Sequence, residues 1–167
     1  MIIVCPYSAV LSLVVQHKVG RVVSLLAPET DHLTIDAIDR ARHLRLTFHD
    51  IVQETEGLVT PRREDAEELV RFLDDWDKVD PLLIHCWAGI SRSTAACFTA
   101  MCMAKPDRSE EELAWMVRER SPYASPNRLI VSHADALLGR SGRMVAAVDA
   151  IGRGRETVEG VPFTVVP

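Results

Sequence analysis

Residues 82–94 read Leu82-Leu83-Ile84-His85-Cys86-Trp87-Ala88-Gly89-Ile90-Ser91-Arg92-Ser93-Thr94, and this order governs how the rest of the chain is interpreted. The leading Leu-Leu-Ile run has the composition of a buried strand. The change to His, Cys, Gly and Arg marks a tight loop. From Ser93 the chain continues STAACFTAMCMAK, small and apolar with no Gly or Pro before Pro106, which predicts a buried helix. Such a loop lies on the amino end of its helix, where unpaired N–H groups and the macrodipole attract anions. Cys86 opens this anion site and Arg92 closes it.

The residue types suit a nucleophile set beside a tetrahedral oxyanion site. A cysteine at a helix amino terminus is placed to act as a thiolate nucleophile. Arg92 brings a permanent charge and a planar fork that matches two oxygens of a phosphate. The five residues between them, Trp87, Ala88, Gly89, Ile90 and Ser91, let the backbone curl around one tetrahedral oxyanion, and Gly89 can take positive φ or approach a ligand closely. Ser93 is placed to hydrogen-bond the sulfur, and His85 to orient the loop.

Working outward, Ile2–Val4 is a short strand ended by Cys5-Pro6, and Ala9–Lys18 has helical spacing before Gly20. Arg21–Ala27 is apolar enough for a buried parallel strand. Thr34–Arg42 carries Ile35, Ile38 and Ala41 at helical spacing, predicting a short helix. His43–Phe48 alternates, with Leu44, Leu46 and Phe48 inward. Residues 54–60 form an acidic loop. Pro61–Trp76 is the clearest amphipathic helix, with Thr60 as its cap and Ala66, Leu69, Val70, Leu73 and Trp76 as its buried stripe. Beyond the central helix, Ser109 and Glu112 make a capping box, and further helices cover 127–138 and 141–151. Trp76 and Trp115 are assigned to the core. The glycine-containing residues from 152 onward predict a loosely held tail.

Strands alternating with helices, followed by a helical second half, imply an α/β domain with a mainly parallel sheet flanked by helices. Residues 1–151 form this single domain and residues 152–167 a C-terminal tail. A net charge of −5 argues against a general nucleic-acid binder. No apolar run approaches the roughly 18 residues of a membrane span. The amino end lacks a basic n-region and is read as a strand rather than a signal segment. The four cysteines show neither C-x-x-C nor zinc spacing, so no metal is expected and a reducing, cytoplasmic setting fits. Cys97 and Cys102 are read as buried thiols. Cys5 is read as an inert thiol in preference to a redox partner of Cys86.

HCWAGISRS resembles the signature of the cysteine-based protein tyrosine phosphatases: His-Cys, five residues, then Arg-Ser. His85, Cys86, Gly89, Arg92 and Ser93 all match, and the mid-chain position resembles the compact dual-specificity type. The resemblance implies that fold and a cofactor-free two-step hydrolysis of a phosphorylated protein or small phosphomonoester. Cys86 would form a phosphocysteine, Arg92 and the loop amides would bind phosphate, and Ser93 would assist departure of sulfur. An upstream Asp supplies the proton in this family. Asp50, 36 residues before Cys86 and just past a strand end, is the best match. FHDI stands where many relatives have Trp-Pro-Asp. Asp74, Asp75, Asp77 and Asp80 belong at the opposite sheet edge, Glu54 is a reserve, and His49 is read as a turn residue. Ser125-Pro126-Asn127 resembles a Pro-Asn element of dual-specificity phosphatases, with Asn127 bracing the loop or positioning water. The competing readings are a phosphate-binding module without turnover and a rhodanese-like sulfurtransferase. Oligomeric state is not readable from these residues.

Overall fold

The computed structural model describes all 167 residues. Its centre is a five-stranded sheet built from β1 (Ile2–Pro6), β2 (Arg21–Leu26), β3 (His43–Thr47), β4 (Leu82–Cys86) and β5 (Phe163–Val165), in the order β3-β2-β4-β1-β5. The first four strands are parallel and β5 is antiparallel to β1. The expected α/β class and mainly parallel sheet are therefore present. β1, β2 and β4 are almost wholly buried because helices cover both faces.

The sheet separates two apolar clusters. On one side α1 (Val10–His17) contributes Val10 and Val14, which pack with Ile3, Cys5, Val22 and Leu83. On the other lie α2 (Arg63–Asp74), α3 (Arg92–Ala104), α4 (Glu110–Arg120), α5 (Arg128–Leu137) and α6 (Arg143–Ile151). α3 is buried from Arg92 to Cys102, which explains its small apolar composition and the absence of a polar face. Ser109 and Glu112 form the expected box on α4.

Four local expectations are corrected. Residues 34–42 hold only a 3₁₀ turn, Arg40–Arg42; Ile35 and Ile38 are buried under α1's cluster without a helix to carry them. α2 begins at Arg63 rather than Pro61, and its first turn is closed by the Asp65 carboxylate, which accepts the Arg62 N–H at 2.7 Å. Thr60 is therefore not the cap. Trp76 is buried, but Trp115 is 41% exposed on the outer face of α4.

The largest correction concerns residues 152–167. Glycine content predicts a loose tail, yet Phe163 and Val165 are buried and pair with Val4 and Ile2. The approach is fixed by Arg118, whose guanidinium donates to the carbonyls of Ala124, Ile151 and Gly152. Two further backbone contacts hold it: Arg155 N–H to the Pro122 carbonyl, and Gly154 N–H to Ser125 Oγ. A half-buried guanidinium and backbone closure outweigh composition here.

Candidate active site

Parallel strands end on one edge of the sheet, and β4 delivers Cys86 there directly into the loop that α3 closes. Gly89 has φ +72°, and a Cβ at that position would lie 2.7 Å from the Pro6 nitrogen, so only glycine fits. The loop carbonyls point outward and are gripped by separate segments. Tyr7 N–H donates to Trp87 (3.0 Å), Gly160 N–H to Ala88 (2.8 Å), Ser125 N–H to Ile90 (2.9 Å) and Asn127 N–H to Ser91 (3.2 Å). With its carbonyls engaged on the outside, the loop is left to present amides to its interior. Gly89 N–H already donates to Cys86 Sγ at 3.2 Å, and Ser93 Oγ lies 3.2 Å from the same sulfur.

Arg92 is 6% exposed and donates to the Phe48 carbonyl at 2.9 Å. Its Nε has no partner. An unpaired donor of a buried guanidinium is costly unless an anion completes it. The same residue fastens the segment after β3 to the Cys86 loop, which brings Asp50 alongside it. Asp50 Oδ1 accepts from Ser91 Oγ (2.7 Å) and Asn127 Nδ2 (2.8 Å), while Oδ2 makes no hydrogen bond. Asn127 also caps α5 by accepting the N–H groups of Leu129 and Ile130. It thus ties α5, the loop and Asp50 together.

The other acidic residues lie elsewhere. Asp80 sits at the opposite edge, beside Gly20 and Arg42. Glu54 lines a separate groove with Arg62, Leu129 and His133. His49 accepts the Val59 N–H on Nδ1 and donates from Nε2 to Glu29, so it organises the 49–59 loop. Trp87 is 57% exposed and stacked on Tyr7 with centroids 5.5 Å apart, forming an aromatic rim. Ile90 instead packs toward Gly160.

Cys5 belongs to the cluster on the α1 face and Cys86 to that on the α3 face. Burial, then the neighbouring Cys86 charge, pushes the Cys5 thiol up to about 12. Burial likewise raises Cys97 and Cys102. No three His, Cys, Asp or Glu side chains gather as metal ligands.

A buried polar chain runs beneath the loop. His85 Nδ1 faces the Cys86 carbonyl at 3.4 Å, its Nε2 meets Ser24 Oγ, and Ser24 Oγ meets His43 Nε2 at 2.7 Å. With neutral rings, one proton arrangement satisfies all three contacts: His43 Nε2–H to Ser24, Ser24 O–H to His85 Nε2, and His85 Nδ1–H to the carbonyl. Burial pushes His85 down to about 4 and His43 to about 3. Below the unfolded value near 6.5 the unfolded chain binds protons that the fold excludes, so stability is full above about pH 6.5 and is lost as pH falls toward the folded values. Urea unfolding between about pH 6 and 4 is expected to lose roughly 1.4 kcal/mol per pH unit for each histidine. His43→Gln, which keeps a donor toward Ser24, should remove about half of that slope. An unchanged slope would show that His43 is not held neutral.

No family model matches the sequence, and no curated protein is significantly similar to it. Solved structures are similar in fold. The Cydia pomonella PTP-2 phosphatase is 24% identical, with 81% of this chain and 84% of that chain covered and a TM-score of 0.62. The human tyrosine phosphatase-like serine/threonine/tyrosine-interacting protein is 19% identical over 84% and 92% of the two chains, with a TM-score of 0.63. PTPMT1, also solved in complex with PI(5)P, is 15% identical over 85% and 94%, with a TM-score of 0.56. Helix order, sheet topology and the strand–loop–helix carrying Cys86 and Arg92 together give this chain the fold of the cysteine-based tyrosine and dual-specificity phosphatases.

Proposed function

We propose that this protein is a phosphoric monoester hydrolase that works through a phosphocysteine on Cys86, acting on a phosphorylated protein or a small phosphomonoester. The observation that carries the reading is the buried, unpaired Nε of Arg92 beside a loop whose carbonyls are bound on its outer side. Both features supply preorganised donors for a dianionic tetrahedral group, which is where electrostatic catalysis of phosphoryl transfer resides.

In the first step Cys86 Sγ forms a bond to phosphorus as the bond to the ester oxygen breaks. That oxygen takes a proton from Asp50, whose Oδ2 is free to face it while Oδ1 is held by Ser91 and Asn127. In the second step a water oxygen bonds to phosphorus as the P–S bond breaks, and Asp50 takes back a proton. The departing thiolate accepts hydrogen bonds from Ser93 Oγ and Gly89 N–H. Because the nucleophile must stay reduced, a cytoplasmic setting suits this chemistry.

Asp50→Asn is expected to lower kcat/KM by roughly 10²- to 10³-fold on an alkyl phosphate, within the range of general acid catalysis. An aryl phosphate with a good leaving group should suffer much less, because its oxygen departs without a proton. Equal losses on both substrates would assign the acid to another residue. Phosphopeptide binding by the unaltered protein with no hydrolysis would overturn the enzymatic reading in favour of a binding module.

A further inference from the structure

The tail that packs against the catalytic loop also builds a groove beside it. Asp50, Ile90, Ser91, Ser125 and Asn127 form its inner end, and residues 152–158 form its outer wall, enclosing about 1210 Å³. Of its basic side chains, Arg128 is bound by Asp149 through two hydrogen bonds of 2.9 and 3.1 Å. Arg153 and Arg155 have no carboxylate partner and are exposed. Their backbone, however, is fixed on both sides by Arg118, the Pro122 carbonyl and Ser125 Oγ. The groove's carboxylates are Asp50, held by the loop, Asp149, matched by Arg128, and Glu156, which is unpaired. Two free guanidiniums against one free carboxylate leave this wall positive in a protein whose net charge is −5.

We infer that Arg153 and Arg155 are specificity-determining residues that bind acidic side chains flanking the phosphorylated residue of a peptide substrate. This rests on the phosphatase reading of the site. The groove is open and larger than the roughly 300–1,000 Å³ that encloses a small molecule, so an extended segment suits it. The loop itself carries no basic side chain besides Arg92, so a second phosphate close to the first would find no cation there. Guanidinium forks carried on a backbone that is held beside the site match carboxylates farther along a chain.

The test compares two phosphopeptides of equal length, one with Asp and Glu on both sides of the phosphoresidue and one with Asn and Gln. Both kcat/KM on the unaltered protein and affinity for the Cys86→Ser protein are measured. The acidic peptide should be favoured roughly three- to tenfold at low salt, the scale of two exposed ion pairs, and the preference should fade as salt rises. Arg153→Glu with Arg155→Glu should reverse the ranking in favour of a lysine-flanked peptide, which damage to the fold would not do. Equal constants for the two peptides, or a preference unchanged in the reversed variant, would overturn the inference. A discrimination in affinity without any turnover would sustain the groove and reject the enzymatic reading, so the two failures are distinguishable. A bisphosphorylated small molecule bound as tightly as the acidic peptide would also overturn the assignment to peptide.

Discussion

Cys86→Ser is expected to reduce turnover of an aryl phosphate by roughly 10⁴-fold or more, the scale on which loss of a covalent nucleophile acts. The surroundings of the sulfur explain why a hydroxyl cannot stand in for it. The groups contacting Sγ are Gly89 N–H and Ser93 Oγ, both at 3.2 Å and neither a base. Such a setting stabilises a sulfur anion but offers nothing to remove a proton from an alcohol. His85 is not available either, since its one unprotonated ring nitrogen, Nε2, faces away and already accepts from Ser24. Phosphate binding should survive, because Arg92 and the loop amides are untouched. Calorimetry with a phosphopeptide should then record a complex that steady-state kinetics no longer turns over. Normal turnover by this variant would dismiss the phosphocysteine.

Ending the chain after Ile151 should cost on the order of 4 kcal/mol of stability, from the lost burial of Phe163 and Val165 alone. That is a large share of the roughly 5–15 kcal/mol that holds a domain together. The outer edge of β1 would lose its ladder with β5, and Arg118 would lose the Gly152 and Arg153 carbonyls, keeping those of Ala124 and Ile151. The urea midpoint should fall accordingly. Residual activity at temperatures where the truncated protein is still folded should also drop, since the Ala88 carbonyl loses Gly160. A truncated protein with an unshifted midpoint would show that the fifth strand contributes nothing.

The Cys86 loop was legible because its signal is local: Cys86, Gly89, Arg92 and Ser93 lie within eight positions of one another. Asp50 was reached less directly: the resemblance calls for an upstream aspartate, and the sheet's topology selects the one carried to the same edge. Three features were hidden because their meaning depends on partners distant in sequence. His43 occupies an outward-looking position in an alternating strand, yet it is buried against Ser24, 19 residues away. Ser24 itself was a weak signal, the lone hydroxyl in the apolar run of β2. In the last segment, glycines at 152, 154 and 160 suggest freedom, whereas Gly154 is required by close approach to Tyr123 and Gly160 packs closely against the Cys86 loop. Composition registers flexibility and tight contact identically.

The four backbone donors that grip the loop come from residues 7, 125, 127 and 160. They span nearly the whole chain, so during synthesis the loop is made long before its shape can be. A nascent chain that has released residue 94 holds every reacting group of the nucleophilic loop, but only the Tyr7 brace has yet been made. At about 5–20 residues per second, completion through residue 160 follows several seconds later. The shape of the loop therefore waits until residue 160 has been made, and a shorter nascent chain would carry Cys86 without the braces that curl the backbone around it.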